Sequence, residues 1–281
     1  MKYVNVNEIA AKWNLSERSV RNYCTHGKIP GVILDGKTWR IPEDAVKPVR
    51  KKRAEKIAND LLTRLKMEKE AGIPGGIYHK VQIELTYSNH MEGSRLTHDQ
   101  TRYIFETNTI GIQDEVVNVD DIVETANHFR CIDQIIELAN YPLSEAFIKQ
   151  LHYILKSGTS DSRKTWFAVG EYKRFENEVG GSATAKPADV SGEMRNLLSR
   201  YNLSKQKTLK EIIQFHYEFE KIHPFQDGNG RVGRLIMFKE CLRNGITPFI
   251  IEDDIKEFYY RGLKEWKNEQ GYLMDTCLTA Q

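Results

Sequence analysis

Apolar positions recur at helical spacing along most of the chain. In "VDDIVETANHFRCIDQIIELAN", Ile122, Val123, Ala126, Phe129, Ile132, Ile135, Ile136 and Leu138 fall on one broad face. "LKEIIQFHYEFEKI" puts Ile212, Phe215, Phe219 and Ile222 on one stripe, and "SEAFIKQLHYILKSG" opens on a serine cap and closes on a glycine. "RLIMFKECLRNG" is apolar enough to be a central buried helix closing at Asn244-Gly245. The charged helix "AEKIANDLLTRLKMEKEAG" should stop at Gly72, with Pro74 just beyond. "IYHKVQIELTYSNHMEG" reads as a helix ending at Gly93, and a capping-box pattern over Thr97–Gln100 starts the next. Only "WFAVGEYKRFENEVGGS" reads as a hairpin. The pattern therefore predicts a mainly α protein, a helical bundle with a single β-hairpin.

The N-terminal stretch has a different rhythm. "VNVNEIAAKWNLSERSV" reads as two short helices, the first capped by Asn7 with Ile9, Ala10 and Trp13 inward, the second capped by Ser16 and continued by Val20 and Tyr23. "GKIPGVILDGKTWRIP" then gives two short runs around Asp35-Gly36, a strong turn signal. Charge divides the chain at about the same place. Residues 1–56 carry 13 Lys and Arg against 6 Asp and Glu, hence +7, and the remainder 28 against 33, hence −5. Such asymmetry points to two modules with different partners.

Two helices at a tight turn followed by a hairpin resemble the small winged helix-turn-helix domains of the MerR and excisionase type. The resemblance makes "SERSVRNY" a recognition helix carrying Arg18, Arg21 and Asn22, with Lys37, Trp39 and Arg40 on the wing. DNA is the partner it implies; a basic mini-domain used for protein contacts is the plainer reading. A single such module buries little surface, so tight specific DNA binding would need a dimer. On this division residues 1–48 form the module, 49–74 a basic linker and helix, and 75–281 the body, with no internal repeat.

Composition closes other routes. No stretch approaches the apolar length of a membrane span, and the first ten residues have no signal-peptide pattern. Cys24, Cys131, Cys241 and Cys277 are far apart with no CxxC pair, which argues against a zinc or disulfide framework and fits a reduced, cytoplasmic protein.

The chemistry concentrates in "HPFQDGNGRVGR", His223 to Arg234, between two apolar helices. Glycines let backbone N–H groups approach an anion, and the following helix offers its positive N-terminus. Arg231 and Arg234 are three apart and can face the same anion. Asp227 is a hard oxygen ligand suited to Mg2+ shared with phosphates, and His223 can accept a proton near neutral pH. Anion cradle, metal ligand, cations and base together describe a site for chemistry on a polyphosphate. It is not a P-loop, because GxxxxGK[ST] does not occur.

The stretch resembles the signature of Fic proteins, HxFx(D/E)GNGRxxR, at every fixed position, and the likeness extends from about Gly75 to the C-terminus. The resemblance implies an all-helical domain that moves AMP from ATP onto a Ser, Thr or Tyr hydroxyl of a target protein. It makes His223 the base, Asp227 the Mg2+ ligand, Gly228, Asn229 and Gly230 the anion hole, Arg231 a phosphate ligand and Arg234 the γ-phosphate ligand. Phe225 becomes an apolar loop anchor. Gly170, Glu171, Tyr172, Lys173 and Arg174 would belong to a flap that pairs with an extended target segment. Tyr259 or Tyr260 would contact the adenine, with core packing as the alternative.

A second feature lies upstream. Glu92 falls at the end of its helix, where the dipole is unfavourable to a carboxylate unless a cation partners it. "SNHMEG" resembles the Fic inhibitory motif (S/T)xxxE(G/N) as Ser88, Glu92 and Gly93, on a helix over residues 77–93. The resemblance implies an autoinhibited enzyme in which Glu92 pairs with Arg234 and misaligns ATP. It leaves two other readings open, an AMP-removing enzyme using Glu92 and a DNA-binding regulator whose body senses nucleotide. Relatives often dimerise, so a homodimer stays open as well.

Overall fold

The computed structural model describes residues 2–13, 15–25, 27–36, 38–48, 60–111 and 116–281. The chain divides into two compact units, Met1–Ala58 and Asn59–Gln281.

In the smaller unit, α1 (Val6–Trp13) and α2 (Glu17–Thr25) pack Val6, Ile9, Ala10, Trp13, Val20 and Cys24 into one small core. Asn5 caps α1 by accepting from the Glu8 amide at 3.0 Å, two residues earlier than the Asn7 expected. Ser16 caps α2 as the pattern required, accepting from Ser19 N at 3.3 Å. The runs around Asp35-Gly36 form β2 (Ile33–Asp35) and β3 (Thr38–Pro42), joined through Gly36 at φ 62°. A strand the pattern did not announce, β1 (Tyr3–Val4), pairs with the far edge of β3, giving the order β1-β3-β2. Two residues are too few for alternation to register. Lys37 and the basic stretch over 49–59 lie outside the described residues.

The larger unit is built of α3 (Leu61–Ala71), α4 (Ile77–Tyr87), α5 (His98–Thr107), α6 (Val119–Leu138) and α7 (Glu145–Lys156). The hairpin strands β4 (Glu178–Val179) and β5 (Ser182–Ala183) follow, then α8 (Pro187–Tyr201), α9 (Leu209–Ile222), α10 (Asn229–Asn244), α11 (Lys256–Glu265) and α12 (Gly271–Thr279). Asp60 and Gly72 cap α3, Thr97 and Gln100 complete the capping box of α5, and Ser144 caps α7. No helix among the described residues is long and apolar enough to cross a membrane.

α10 is the axle of this unit. From Arg231 to Leu242 every residue is buried, so α10 has no solvent face. The stripe of α9 (Phe215, Phe219, Ile222) and the Ile132, Ile135 and Ile136 face of α6 join Val232, Leu235, Ile236 and Phe238 of α10 in one core. A second core gathers Met237 and Cys241 of α10 with Tyr259, Trp266 and Leu273 of the C-terminal helices. The apolar face of α6 splits: Ile122 and Ala126 pack instead with Leu96, Ile104 and Phe129. That division fastens α5, and the turn preceding it, to the bundle.

The hairpin is shorter and later than the sequence suggested. Its ladder pairs Glu178 with Ala183 and Val179 with Ser182 around Gly180-Gly181, both at positive φ. Residues 170–174 precede it as an irregular strap, for the reason given below.

Candidate active site

The loop between α9 and α10 is held from four sides before it can meet any ligand. α9 ends at His223, which takes the left-handed conformation (φ 50°) that a non-glycine residue adopts only at some cost. Phe225 is fully buried and lies face to face on His152 of α7, with ring centroids 4.0 Å apart and planes 8° apart. His152 uses both nitrogens: Nδ1 accepts from the Gly170 amide at 2.9 Å, and Nε2–H donates to the Asp227 carbonyl at 3.1 Å. Burial pushes its pKa down to about 4, so it is a neutral clamp between strap and loop.

Asn229 plays a part its place in the GNG run concealed. Its Oδ1 accepts from Phe225 N and its Nδ2 donates to Phe225 O, both at 2.8 Å. The side chain is thus spent on closing the loop, and only the backbone of Gly228, Asn229 and Gly230 is left to face an anion at the start of α10. Gly228 caps that helix at φ 81°. At Gly230 a Cβ would collide with the Glu92 carboxylate.

Glu92 closes the site from above. It ends a 3-10 turn, Ser88–Glu92, that continues α4 and stops at Gly93 with φ 91°. Ser88 is buried, and its hydroxyl donates to Leu85 O at 2.7 Å, which ties that turn to the helix before it. Glu92 Oε1 accepts from Arg234 Nη1 at 2.7 Å, so the cation its helix-end position called for is present. Burial works against the carboxylate charge, but the Arg234 guanidinium and its hydrogen bond hold the group below the usual carboxyl range. Arg234 is 5% exposed, and its Nε and Nη2 have no hydrogen-bond partner among the described residues. A buried guanidinium with two idle donors retains capacity for a further anion.

The phosphate side of the site is an ion network. Arg231 pairs with Glu124 of α6 and with Asp227 Oδ2 at 2.9 Å. Lys156, 2% exposed at the end of α7, bonds Asp227 Oδ2 at 2.7 Å, Glu124 at 2.5 Å and Asp161 at 2.9 Å. Asp227 Oδ1 makes no hydrogen bond among the described residues, and the side chain is half-exposed. It faces a polar cavity of about 230 Å3, lined in part by Glu92, Glu124, Lys156 and Arg231. One fixed carboxylate with an open oxygen suits a hard divalent cation shared with phosphates.

His223 Nδ1 lies 3.3 Å from the Glu220 carbonyl, which takes an Nδ1–H and leaves Nε2 as the basic nitrogen. Burial lowers its pKa; the Glu220 carbonyl, Glu92 and Asp227 oppose the shift and Lys173 adds to it. Glu220, one turn earlier on α9, is pushed up to about 8 by burial, with the Glu92 charge adding. It therefore stands beside His223 as a largely neutral acid at pH 7.

The remaining expected residues fall in different places. Tyr259 is a core residue, 1% exposed, with its hydroxyl 2.5 Å from His216 Nε2, so packing is its role. Tyr260 is 41% exposed, and its hydroxyl donates to Met91 O, next to the Glu92 turn. Glu171 and Arg174 are exposed, Gly170 is clamped by His152, and Tyr172 packs on Phe225 under Lys149. Arg18, Arg21, Asn22 and Arg40 are exposed in the small unit; Arg21 pairs with Glu17 and Arg40 with Asp35. Sequence reasoning missed Glu124, His152, Lys156 and Glu220, and it placed Lys173 in the flap without its burial. Only Glu220, four residues beyond His216 on the inward side of α9, left a trace in the pattern.

The strap and clamp make the loop a packed object, and one outcome follows from that. Phe225→Ala is expected to destabilise the larger unit by about 3–5 kcal/mol, because it removes a fully buried ring between His152, Tyr172 and Phe219. A denaturant midpoint like that of the wild type would show that the ring does not anchor the loop.

An axial buried helix, a glycine-rich loop at its N-terminus and a His–Asp–Arg–Arg set around it define the class of domain: the chain carries a Fic/DOC domain, and residues 142–241 match that family. Among named relatives, the chain is 30% identical over 197 residues to "Protein adenylyltransferase Fic" of Aedes aegypti, covering 69% of this chain and 36% of that one. The protein of the same name from Drosophila mojavensis is 29% identical over 221 residues, with 74% and 38% covered. The chain thus spans less than half the length of these curated relatives. Of solved structures, a Fic domain containing signaling protein from Bacteroides thetaiotaomicron aligns with TM-score 0.61 and 27% identity over 78% of this chain and 86% of that one. Fic-1 from C. elegans shares the fold at TM-score 0.59 and 17% identity, over 80% and 70% of the two chains.

Proposed function

We propose that this protein is a Mg2+-dependent adenylyltransferase that moves the AMP part of ATP onto a hydroxyl side chain of a target protein, held closed at rest by Glu92. The observation that carries the reading is the 2.7 Å Glu92–Arg234 pair set over the start of α10, one loop away from His223. The named relatives, each a protein adenylyltransferase, agree with it.

In this reading the backbone of Gly228–Gly230 and the Arg231 guanidinium receive the α- and β-phosphates, and Arg234 the γ-phosphate. The open oxygen of Asp227 would hold Mg2+, which when bound supplies charge neutralisation on the phosphates. His223 Nε2 takes the proton of the target hydroxyl as its oxygen forms a bond to the α-phosphorus, and pyrophosphate leaves in line. In the Gly170–Arg174 strap the amides of Gly170, Glu171 and Lys173 are bonded within the protein, so Tyr172 and Arg174 would offer main-chain donors to an extended target segment. Ser88 and Gly93 shape the turn that delivers Glu92 to Arg234, and Tyr260 stands where an adenine edge would pass. The reaction class is tested by labelling ATP at either end: the Glu92→Gly protein with Mg2+ transfers α-phosphate label to protein. Transfer of γ-label instead would mark a kinase and end the reading.

The small unit supports a second partner. Its exposed Arg18 and Arg21 on α2 and Arg40 on β3, in a basic helix-turn-helix-like arrangement with a β-hairpin, fit phosphate contacts on DNA; Lys37 belongs to the same reading. Arg18→Ala with Arg21→Ala is expected to weaken retention on duplex DNA about tenfold or more at moderate salt. Unchanged retention would leave the unit a protein-contact module.

A further inference from the structure

The strap before the hairpin contains a lysine whose setting the reading above leaves unused. Lys173 is 3% exposed although it lies in an irregular segment. Its Nζ donates to Asn177 Oδ1 at 2.6 Å, to Thr184 Oγ1 at 2.7 Å and to Ile222 O at 3.4 Å. Three acceptors match the three N–H groups of an ammonium, whereas a neutral amine has only two. The acceptors come from the strap, the hairpin and the last residue before His223.

The main chain and neighbouring side chains repeat the connection. Lys173 N donates to Pro224 O at 2.8 Å, Asn177 Nδ2 to Phe225 O at 2.9 Å, and Phe175 N to Gln226 Oε1 at 3.2 Å. Thr184 also donates to Asn177, closing a ring of bonds between both arms of the hairpin. The strap is therefore irregular because its backbone is bonded to the catalytic loop rather than to a partner strand.

We propose that the Lys173 ammonium is a positioning group of the active site: it ties strap and hairpin to the loop and keeps the His223 imidazole neutral and proton-accepting. The inference rests on the adenylyltransferase reading only in making His223 the base. A fixed cation beside the imidazole disfavours imidazolium. The other groups that act on the His223 ring are the Glu220 carbonyl from α9 and the carboxylates of Glu92 from the 3-10 turn and Asp227 from the loop, and each favours the charged ring; the Glu220 carboxyl itself is largely protonated at pH 7. Lys173 is the cation set against these two carboxylates. Burial lowers its own pKa to about 8, with Glu193 and Glu176 opposing, so it is still mostly charged at pH 7. Above that value its charge, and its hold on His223, should fade.

The test is an NMR titration of the His223 imidazole in nucleotide-free protein, assigned by its loss in His223→Asn. Lys173→Gln keeps hydrogen-bond donors and removes the charge; Lys173→Met removes both. In each folded variant the His223 pKa is expected to rise. In the Glu92→Gly background, Lys173→Gln should also move the acid limb of the pH–rate profile upward by the same amount, because the base is then protonated to higher pH. An unmoved His223 titration in Lys173→Gln overturns the proposal whether or not the protein transfers AMP. A failure of AMP transfer with the titration shifted would instead overturn the adenylyltransferase reading and leave the role of Lys173 standing.

Discussion

Replacing Glu92 by glycine is expected to raise AMP transfer by about 10- to 100-fold, the range of a regulatory coupling worth one to three kcal/mol. The direction follows from what the substitution removes. At rest the Arg234 guanidinium is buried and bonded to Glu92, so a γ-phosphate must compete with a carboxylate already in place. Removing the carboxylate leaves Arg234 with three idle groups where it now has two, in a setting where an unpaired charge is costly. ATP then gains the cation that aligns its phosphate chain. The Gly230 position makes the point sharper: Glu92 is close enough to exclude even a Cβ there, so it also blocks the backbone meant for the phosphates. Glycine suits position 92, since the turn ends there and the next residue is already left-handed. Initial rates of label incorporation from α-labelled ATP measure the effect. A rate equal to that of the wild type would mean that the Glu92–Arg234 pair does not limit catalysis.

Removing the base from that released enzyme should cost more. In the Glu92→Gly background, His223→Ala is expected to lower transfer by about 10³-fold, within the range found for general bases. No described group stands ready to replace it. Glu220 is the nearest carboxyl, with Oε2 3.7 Å from His223 Nδ1, but burial keeps it largely protonated at pH 7. The left-handed backbone at His223 makes alanine a strained replacement, so His223→Asn is the better comparison: asparagine tolerates that conformation and lacks a basic nitrogen. Both substitutions should give the same loss. Retained transfer in His223→Asn with the fold intact would remove His223 from the role of base. Loss in His223→Ala alone would trace the effect to the backbone.

Much of this architecture was legible in the sequence where a residue's role depends on local spacing. The stripes of α6 and α9, the buried α10 and the caps at Ser16, Thr97, Ser144 and Gly72 follow from periodicity and propensity. The pairing of Glu92 with Arg234 spans 142 positions, and the partner was inferred from a motif; only the need for some cation followed from the helix end. Roles that depend on tertiary meetings left no such trace. Lys156 reads as the charged end of α7, yet α6, the loop and the turn after α7 bring three carboxylates to it. Asn229 sits within an anion-binding motif, but the turn at Phe225 claims its side chain. The hairpin was placed too broadly because Lys173 and Phe175 satisfy their backbones on the loop, which alternation cannot reveal.

The central claim is that an AMP-transferring site exists here and is closed by Glu92. It is tested most directly by peptide mass spectrometry of one lysate treated in parallel with the wild-type protein, Glu92→Gly and Glu92→Gly/His223→Asn, each with Mg2+ and isotope-labelled ATP. The account predicts labelled AMP esterified to a hydroxyl side chain in the Glu92→Gly sample, little in the wild type and none in the double variant. A Glu92→Gly sample without labelled AMP on any protein, this one included, would contradict it.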